Sequence, residues 1–256
     1  MSLLAVDVGN TSIKLGWFES APQGAWPQPT QALSISTRDV ASWQILEQLP
    51  SSAAAWYVGS VQREAEAQLA RWVEHHRPHD SYRKPTNAEL PIRIEVEFPD
   101  RVGTDRLLAS VAANVLRQPD RAAIVIDAGT AVTVDLVAAD GSFQGGVIWP
   151  GRAMMAQALA GNTAALPLIT APISEAPPAI VGKSTDKAIK SALFWGNVGA
   201  VREFVAQMRN ELSTPPQVFV TGGDAQRLAQ WACPDAVQVN DLVLAGIVFA
   251  AQAWSA

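Results

Sequence analysis

The sequence predicts an α/β protein built as two similar lobes. Three observations carry this. Short apolar runs lead into polar, glycine-containing turns and then into alternating segments, which is strand–turn–strand patterning. Longer stretches place apolar residues at helical spacing. The unit Asp-x-Gly between two strands occurs twice, at Asp7-Val8-Gly9 and Asp127-Ala128-Gly129, a weak internal duplication.

Leu3 to Val6 is a short apolar run and predicts a buried strand. Asp7 to Thr11 supply turn chemistry, and Ile13, Leu15 and Trp17 alternate with Lys14 and Gly16 as a returning strand. Residues 20–30, rich in Pro and Gln, predict a loop or distorted hairpin. Val61 to His76 predicts a helix with Ala65, Leu69, Trp72, Val73 and His76 on one face. Thr104 to Arg117 predicts another, with Leu107, Leu108, Val111, Ala112 and Val115 inward and Thr104 as N-cap. Gln118-Pro119-Asp120 marks a boundary between lobes 1–118 and 119–256.

The pattern then restarts. Ala122 to Ile126 predicts a strand, Asp127 to Thr130 a turn, and Val132 to Ala138 the return. Gly145 to Gly151 reads as a Gly-Gly turn ending in Pro-Gly, with a helix from Arg152. Thr185 to Leu212 predicts a long helix with candidate interruptions at Gly196 or Gly199. Val218 to Val220 predicts a strand running into Thr221-Gly222-Gly223, followed by a helix. Asp241 is placed to cap a final apolar helix ending near Trp254, which is free to pack back on the first lobe.

Composition narrows the function classes. Apolar residues make up 48% of 256 and charged residues 17%, which fits a folded enzyme rather than a disordered chain. The net charge is -5 with no basic cluster, so no nucleic-acid partner is expected. No apolar run reaches the roughly 18 residues of a membrane span, and Asp7 interrupts the first apolar run, so no secretory leader is expected. The one cysteine, Cys233, cannot pair within the chain, and a cytoplasmic location is the expectation. The nine tryptophans read as packing and subunit-contact residues.

The motifs suit phosphate chemistry. Gly9 lets the backbone approach a ligand, and the amides of the turn with Asn10 and Thr11 can donate to phosphate oxygens. Asp7 can hold Mg²⁺ through water, and Lys14 can neutralise phosphate charge. A hairpin with a polar turn needs none of this, and one Asp-x-Gly is common. The second unit, Asp127-Ala128-Gly129-Thr130, strengthens the functional reading. Two such turns can grip one nucleotide, with Asp127 on a cation and Thr130 on the γ-phosphate. Asp135, on the return strand, reads as structural.

Gly103-Thr104-Asp105-Arg106 opens a helix, whose amides and dipole favour an anion. Asp105 is therefore expected to stay ionised beside Arg106 as a weak base, which suffices where the hydroxyl proton leaves late. The same residues also read as a capped helix start with a surface ion pair. Thr221-Gly222-Gly223 can let the backbone approach an adenosine. There is no P-loop or protein-kinase signature set. His75, His76 and His79 read as a solvated helix end rather than metal ligands, and Cys233 has no neighbouring base in sequence.

Taken together, Asp-Val-Gly-Asn-Thr at 7–11, Val-Gly-Thr-Asp-Arg at 102–106, Asp-Ala-Gly-Thr-Ala-Val-Thr-Val-Asp at 127–135, Gly-Gly-Val-Ile-Trp-Pro-Gly at 145–151, Gly-Lys-Ser-Thr at 182–185 and Thr-Gly-Gly at 221–223 resemble type III pantothenate kinases. The chain also looks like the Bvg accessory factor branch, whose members were first described as regulatory factors. The resemblance implies two RNase H-like lobes of the acetate and sugar kinase, Hsp70 and actin superfamily, with ATP in the interlobe cleft. It implies transfer of the ATP γ-phosphate to the 4′-hydroxyl of pantothenate, the first step of coenzyme A synthesis, by a homodimer. By position it implies that Asp7, Val8, Gly9, Asn10, Thr11, Ser12, Ile13 and Lys14 hold the ATP phosphates, with Thr130 also contacting ATP. It implies that Gly103, Thr104, Asp105 and Arg106 bind pantothenate, with Asp105 as proton acceptor and Thr185 as a further contact. Asp127 would hold a monovalent cation, potassium or ammonium. One position departs: many members carry a tyrosine shortly before Gly-x-Asp-Arg, where this chain has Val96. Two alternatives stand beside this: a regulatory protein with a kinase-like fold, and a related kinase acting on another substrate.

Overall fold

The computed structural model describes residues 2–19, 26–170 and 176–255. The chain divides into two compact units, one of residues 1–116, 141–143 and 241–256, the other of residues 117–140 and 144–240.

The first unit holds a five-stranded sheet made of β1 (Ser2–Val8), β2 (Ser12–Phe18), β3 (Gln31–Ser36), β4 (Ala54–Ser60) and β5 (Ser81–Arg83), in the order β3-β2-β1-β4-β5. β1 and β2 form the expected antiparallel hairpin, with Asp7 opposite Lys14. β1 runs parallel to β4 on its other side, Asp7 facing Gly59. On one face of the sheet, Leu4, Val6, Ile13 and Leu15 pack with Trp43, Leu46 and the inward stripe of α1 (Arg63–His76). That stripe is Ala65, Leu69 and Val73; each larger side chain so buried stabilises by roughly 2 kcal/mol. The helix starts two residues later than Val61 because the Gln62 side chain caps it, accepting from the Ala65 N–H at 2.8 Å. His76 is exposed rather than on the buried face.

α2 (Thr104–Leu116) and α6 (Leu242–Ser255) pack together in this unit, and α6 also contacts β1 and β4. Nearly every described side chain of α6 from Leu242 to Ala251 is buried, so it is apolar all round. At 14 residues it is too short to cross a membrane, and no described helix is long and apolar enough to do so. The expected caps of both helices differ. Thr104 is the first helical residue of α2, and its hydroxyl donates to Asn87 Oδ1 at 3.2 Å. The Gly103 carbonyl accepts the first helical N–H bonds in its place. Asp241 has φ 51° and contributes its main-chain carbonyl to Ala245; its carboxylate lies 3.8 Å from Lys14 Nζ.

The second unit repeats the plan with β6 (Ala123–Ala128), β7 (Ala131–Val137), β8 (Phe143–Pro150), β9 (Gln217–Thr221) and β10 (Val237–Gln238), in the order β10-β9-β6-β7-β8. β6 pairs antiparallel with β7 and parallel with β9. Read from its central strand, each sheet therefore has the same order, with an antiparallel neighbour on one side and a parallel one on the other. Asp7 in β1 and Asp127 in β6 occupy the same penultimate position. α3 (Arg152–Gly161), α4 (Thr185–Asn210) and α5 (Ala225–Trp231) complete the unit. α4 runs unbroken through Gly196 and Gly199: a Cβ at Gly199 would meet nothing within 4 Å, and neither glycine has positive φ. The expected Gly145-Gly146 turn is instead inside β8. Gly146 lets that strand close onto β7, because a side chain there would fall on the Val134 carbonyl and the buried Asp135. Asp120, at the expected boundary, takes φ 60°, which Asp tolerates in a turn. Within the predicted loop 20–30, residues 20–25 lie outside the described residues.

Candidate functional site

In the first unit the site residues collect where β1 and β4 end. The Asp7–Thr11 turn is closed by the Gly9 N–H donating to the Ser12 carbonyl at 3.0 Å. It is buttressed by Thr37, whose N–H donates to Thr11 and whose hydroxyl donates to the Asn10 carbonyl at 3.1 Å. Asn10 and Thr11 are exposed, Asp7 and Gly9 half-buried, Val8 and Ile13 buried. Val8 and Ile13 are thus core residues whose backbone shapes the turn. Lys14 reaches outward from β2 and has Asp241 as a partly exposed ionic neighbour, so its charge is not free of a partner.

Gly103 to Arg106 lies against the same sheet end. The Val61 N–H, just past β4, donates to the Val8 carbonyl at 3.1 Å, and a Cβ on Gly103 would stand 3.6 Å from Val61 Cγ1. The same Cβ would stand 2.6 Å from Asp105 Oδ1, so glycine leaves room for the carboxylate to fold back over the helix start. Asp105 Oδ1 accepts the Arg106 N–H at 2.8 Å. Burial pushes the Asp105 carboxyl above its ordinary pKa, and the Arg106 N–H and guanidinium only partly offset this. The direction is opposite to that of the expected weak base, because desolvation outweighs the helix start. The Arg106 guanidinium lies over the Phe143 ring at 5.6 Å. A pocket of ≈ 740 Å³ opens beside Thr104, its wall including Arg63, Lys84, Thr86, Asn87 and Ile94.

In the second unit three glycine turns converge on the end of β6. Asp127 pairs with Thr221, and the Asp224 N–H donates to the Ala128 carbonyl at 3.1 Å. Gly222 has φ 94°, and a Cβ there would stand 2.6 Å from both the Ala128 carbonyl oxygen and Asp127 Oδ1. Only glycine permits this contact. Gly151 closes from the other side, its N–H donating to the Thr130 carbonyl at 3.1 Å. Thr130 is exposed at the tip, and Asp127 half-buried at its base. Thr185 is the exposed first residue of α4, which Ser184 caps by accepting from the Lys187 N–H at 3.3 Å.

Sequence reasoning missed four residues here. Asp224 accepts from Arg152 at 2.6 and 2.5 Å and from Arg227 at 2.8 Å, tying the start of α3 to the Thr-Gly-Gly turn. Nothing in the sequence pairs positions so far apart. Asn87 binds the segment before Asp105; only the neighbouring Thr86-x-x-Glu89 capping signature is readable locally. Burial raises the Cys233 thiol to about 11, and His76 stacks on Trp72 at 4.7 Å. Val96 is half-buried.

The donor set bears on any metal. Among the described residues no group of three or more His, Cys, Asp or Glu could hold an ion. A carboxylate at Asp7 or Asp127 suits a hard cation that takes its remaining oxygens from phosphate, backbone and water.

A family model for type III pantothenate kinases matches residues 3–207. A type III pantothenate kinase of Leptothrix cholodnii is 33% identical over 97% of this chain and 95% of its own length. One of Methylibium petroleiphilum is 31% identical over 97% of each. Two solved structures share the fold. A Sinorhizobium meliloti protein described as a 2-dehydro-3-deoxygalactonokinase superposes with TM-score 0.52 at 13% identity, over 98% of this chain and 99% of that one. A Listeria monocytogenes protein described as an N-acetylmannosamine kinase gives 0.51 at 12%, over 100% of both. Full-length similarity to the relatives and the matching family model lead to one conclusion: this chain belongs to the type III pantothenate kinase family.

Proposed function

We propose that this protein transfers the γ-phosphoryl group of ATP to the 4′-hydroxyl of pantothenate, the first step of coenzyme A synthesis. The observation that carries the proposal is the half-buried Asp105 carboxylate at the start of α2, beside the strand end that bears the Asp7 turn. Asp105 accepts the hydroxyl proton as the oxygen bonds to phosphorus and the bond to ADP breaks. A raised pKa suits that role better than an exposed aspartate would. Gly103, Thr104 and Arg106 orient the acceptor, with Thr185 as a further contact. The turn amides of residues 8–13 and Lys14 bind phosphate oxygens, and Thr130 contacts ATP. Asp7 fits Mg²⁺ held through water, which would neutralise phosphate charge. Asp127 fits potassium or ammonium. The protein works in the cytoplasm as a homodimer.

The test is a coupled ADP-release assay with and without pantothenate, in K⁺ and in Na⁺. Pantothenate-dependent turnover that is higher in K⁺ is expected. Asp105→Asn should lower kcat by about 10³-fold with the fold intact. No pantothenate-dependent turnover would favour a regulatory role, and turnover on another alcohol a different substrate.

A further inference from the structure

We propose that Asn87 is the positioning residue that holds the Gly103–Asp105 segment in register for the phosphate acceptor, an inference that rests on the role given to Asp105 above. Asn87 acts on Asp105 through the residues that flank it. Its single amide engages the segment leading into α2 at three points. The Nδ2 group donates to the Pro99 carbonyl at 2.9 Å and to the Val102 carbonyl at 2.8 Å. Oδ1 accepts from the Thr104 hydroxyl at 3.2 Å. Two donors and one acceptor in one plane, one methylene from the backbone, is an arrangement only Asn supplies at this reach. Asp lacks the donors, and Gln is one carbon longer.

The mount is fixed in turn. Asn87 opens a 3₁₀ turn, Asn87–Glu89, braced by the Glu89 carboxylate, which accepts from the Thr86 N–H at 2.7 Å and its hydroxyl at 2.8 Å. The Trp254 indole N–H of α6 donates to the Glu89 carbonyl at 2.7 Å, and its ring stacks on Tyr57 of β4 at 5.5 Å. A line of contacts therefore runs from β4 and α6 through Asn87 to Thr104, the residue beside Asp105. Within the loop it holds, regular structure is limited to a short 3₁₀ turn, Pro99–Arg101, with Arg101 over the Phe98 ring at 4.5 Å. A misplacement of about 1 Å at a reacting group can cost on the order of 10²-fold in rate.

The experiment pairs kinetics with amide hydrogen exchange in Asn87→Ala, Asn87→Asp and Asn87→Gln. Asn87→Ala should lower kcat/KM for pantothenate by about 10- to 100-fold, while KM for ATP stays within about twofold. Amides of residues 101–106 should exchange faster, with those of β1 and β6 unchanged. Asn87→Asp, which keeps only the acceptor, should not recover activity, and Asn87→Gln should recover part of it. Unchanged exchange at 101–106 would overturn the proposal. So would a loss that falls equally on ATP and pantothenate and follows melting temperature. The exchange measurement reads the clamp even if pantothenate is not the acceptor. An active Asp105→Asn, by contrast, would remove only the proton-acceptor role of Asp105.

Discussion

Asp105 holds its proton more tightly than an exposed aspartate because burial strips water from its carboxylate faster than Arg106 replaces it. Two consequences follow in opposite directions. As the proposed base, Asp105 must be ionised to act, so kcat/KM for pantothenate should rise with pH through a limb lying above the ordinary aspartate value. Asp105→Asn should abolish that limb in the residual activity, as a pH–rate series would read. Stability runs the other way. A folded-state pKa raised above the unfolded value means a contribution present at low pH and lost as pH rises through the folded pKa. Near neutrality the ionised carboxylate therefore costs the fold. Asp105→Asn should melt at the same temperature as the parent or higher. A clear drop in melting temperature would show that Asp105 is structural. The residue type and its place in Gly-Thr-Asp-Arg are legible in the sequence. Its burial is not, because that depends on how α2 packs against β4 and α6, elements far from it in the chain.

The α2–α6 pair is where an element depends most on one small residue. A side chain at Gly246 would fall on the Leu108 backbone, so the helices approach closely only because that position has none. Gly246→Ala must push the pair apart and disturb the buried Leu107, Leu108, Ile247 and Val248 around it. The expected cost is about 2–3 kcal/mol, measured as a lower urea midpoint. An unchanged midpoint would mean that the crossing is looser than described. At this scale the helices themselves are legible from 3.6-residue periodicity, and the β1–β2 and β6–β7 hairpins from turn chemistry. The strands β3, β4 and β5 are not. Ala54-Ala55-Trp56 carries no clear alternation, and β4 becomes a strand by lying parallel to β1.

At the scale of the whole molecule the chain folds in two units that are not contiguous in sequence. The last helix completes the first unit, so that unit can close its core only when the final residues are available. Truncation after Asn240 should leave the buried faces of α2, β1 and β4 uncovered. The shortened chain is expected to bind a hydrophobic dye strongly and to lose soluble yield. A truncated protein with parental melting behaviour would refute this. The repeated sheet order places the motif twice: each central strand delivers an aspartate and a glycine turn at the same end of its sheet.

The sequence by itself determined the α/β class, the two Asp-x-Gly hairpins, the main helices and the Gly-Thr-Asp-Arg segment. These depend on residues a few positions apart, whose periodicity and turn preferences act locally. Tertiary structure alone decided the parallel partners β4 and β9, the Asn87 clamp, the Arg152–Asp224–Arg227 cluster and the raised pKa of Asp105. Each of these arises from groups far apart in the chain, and burial, unlike periodicity, is a property only of the packed whole.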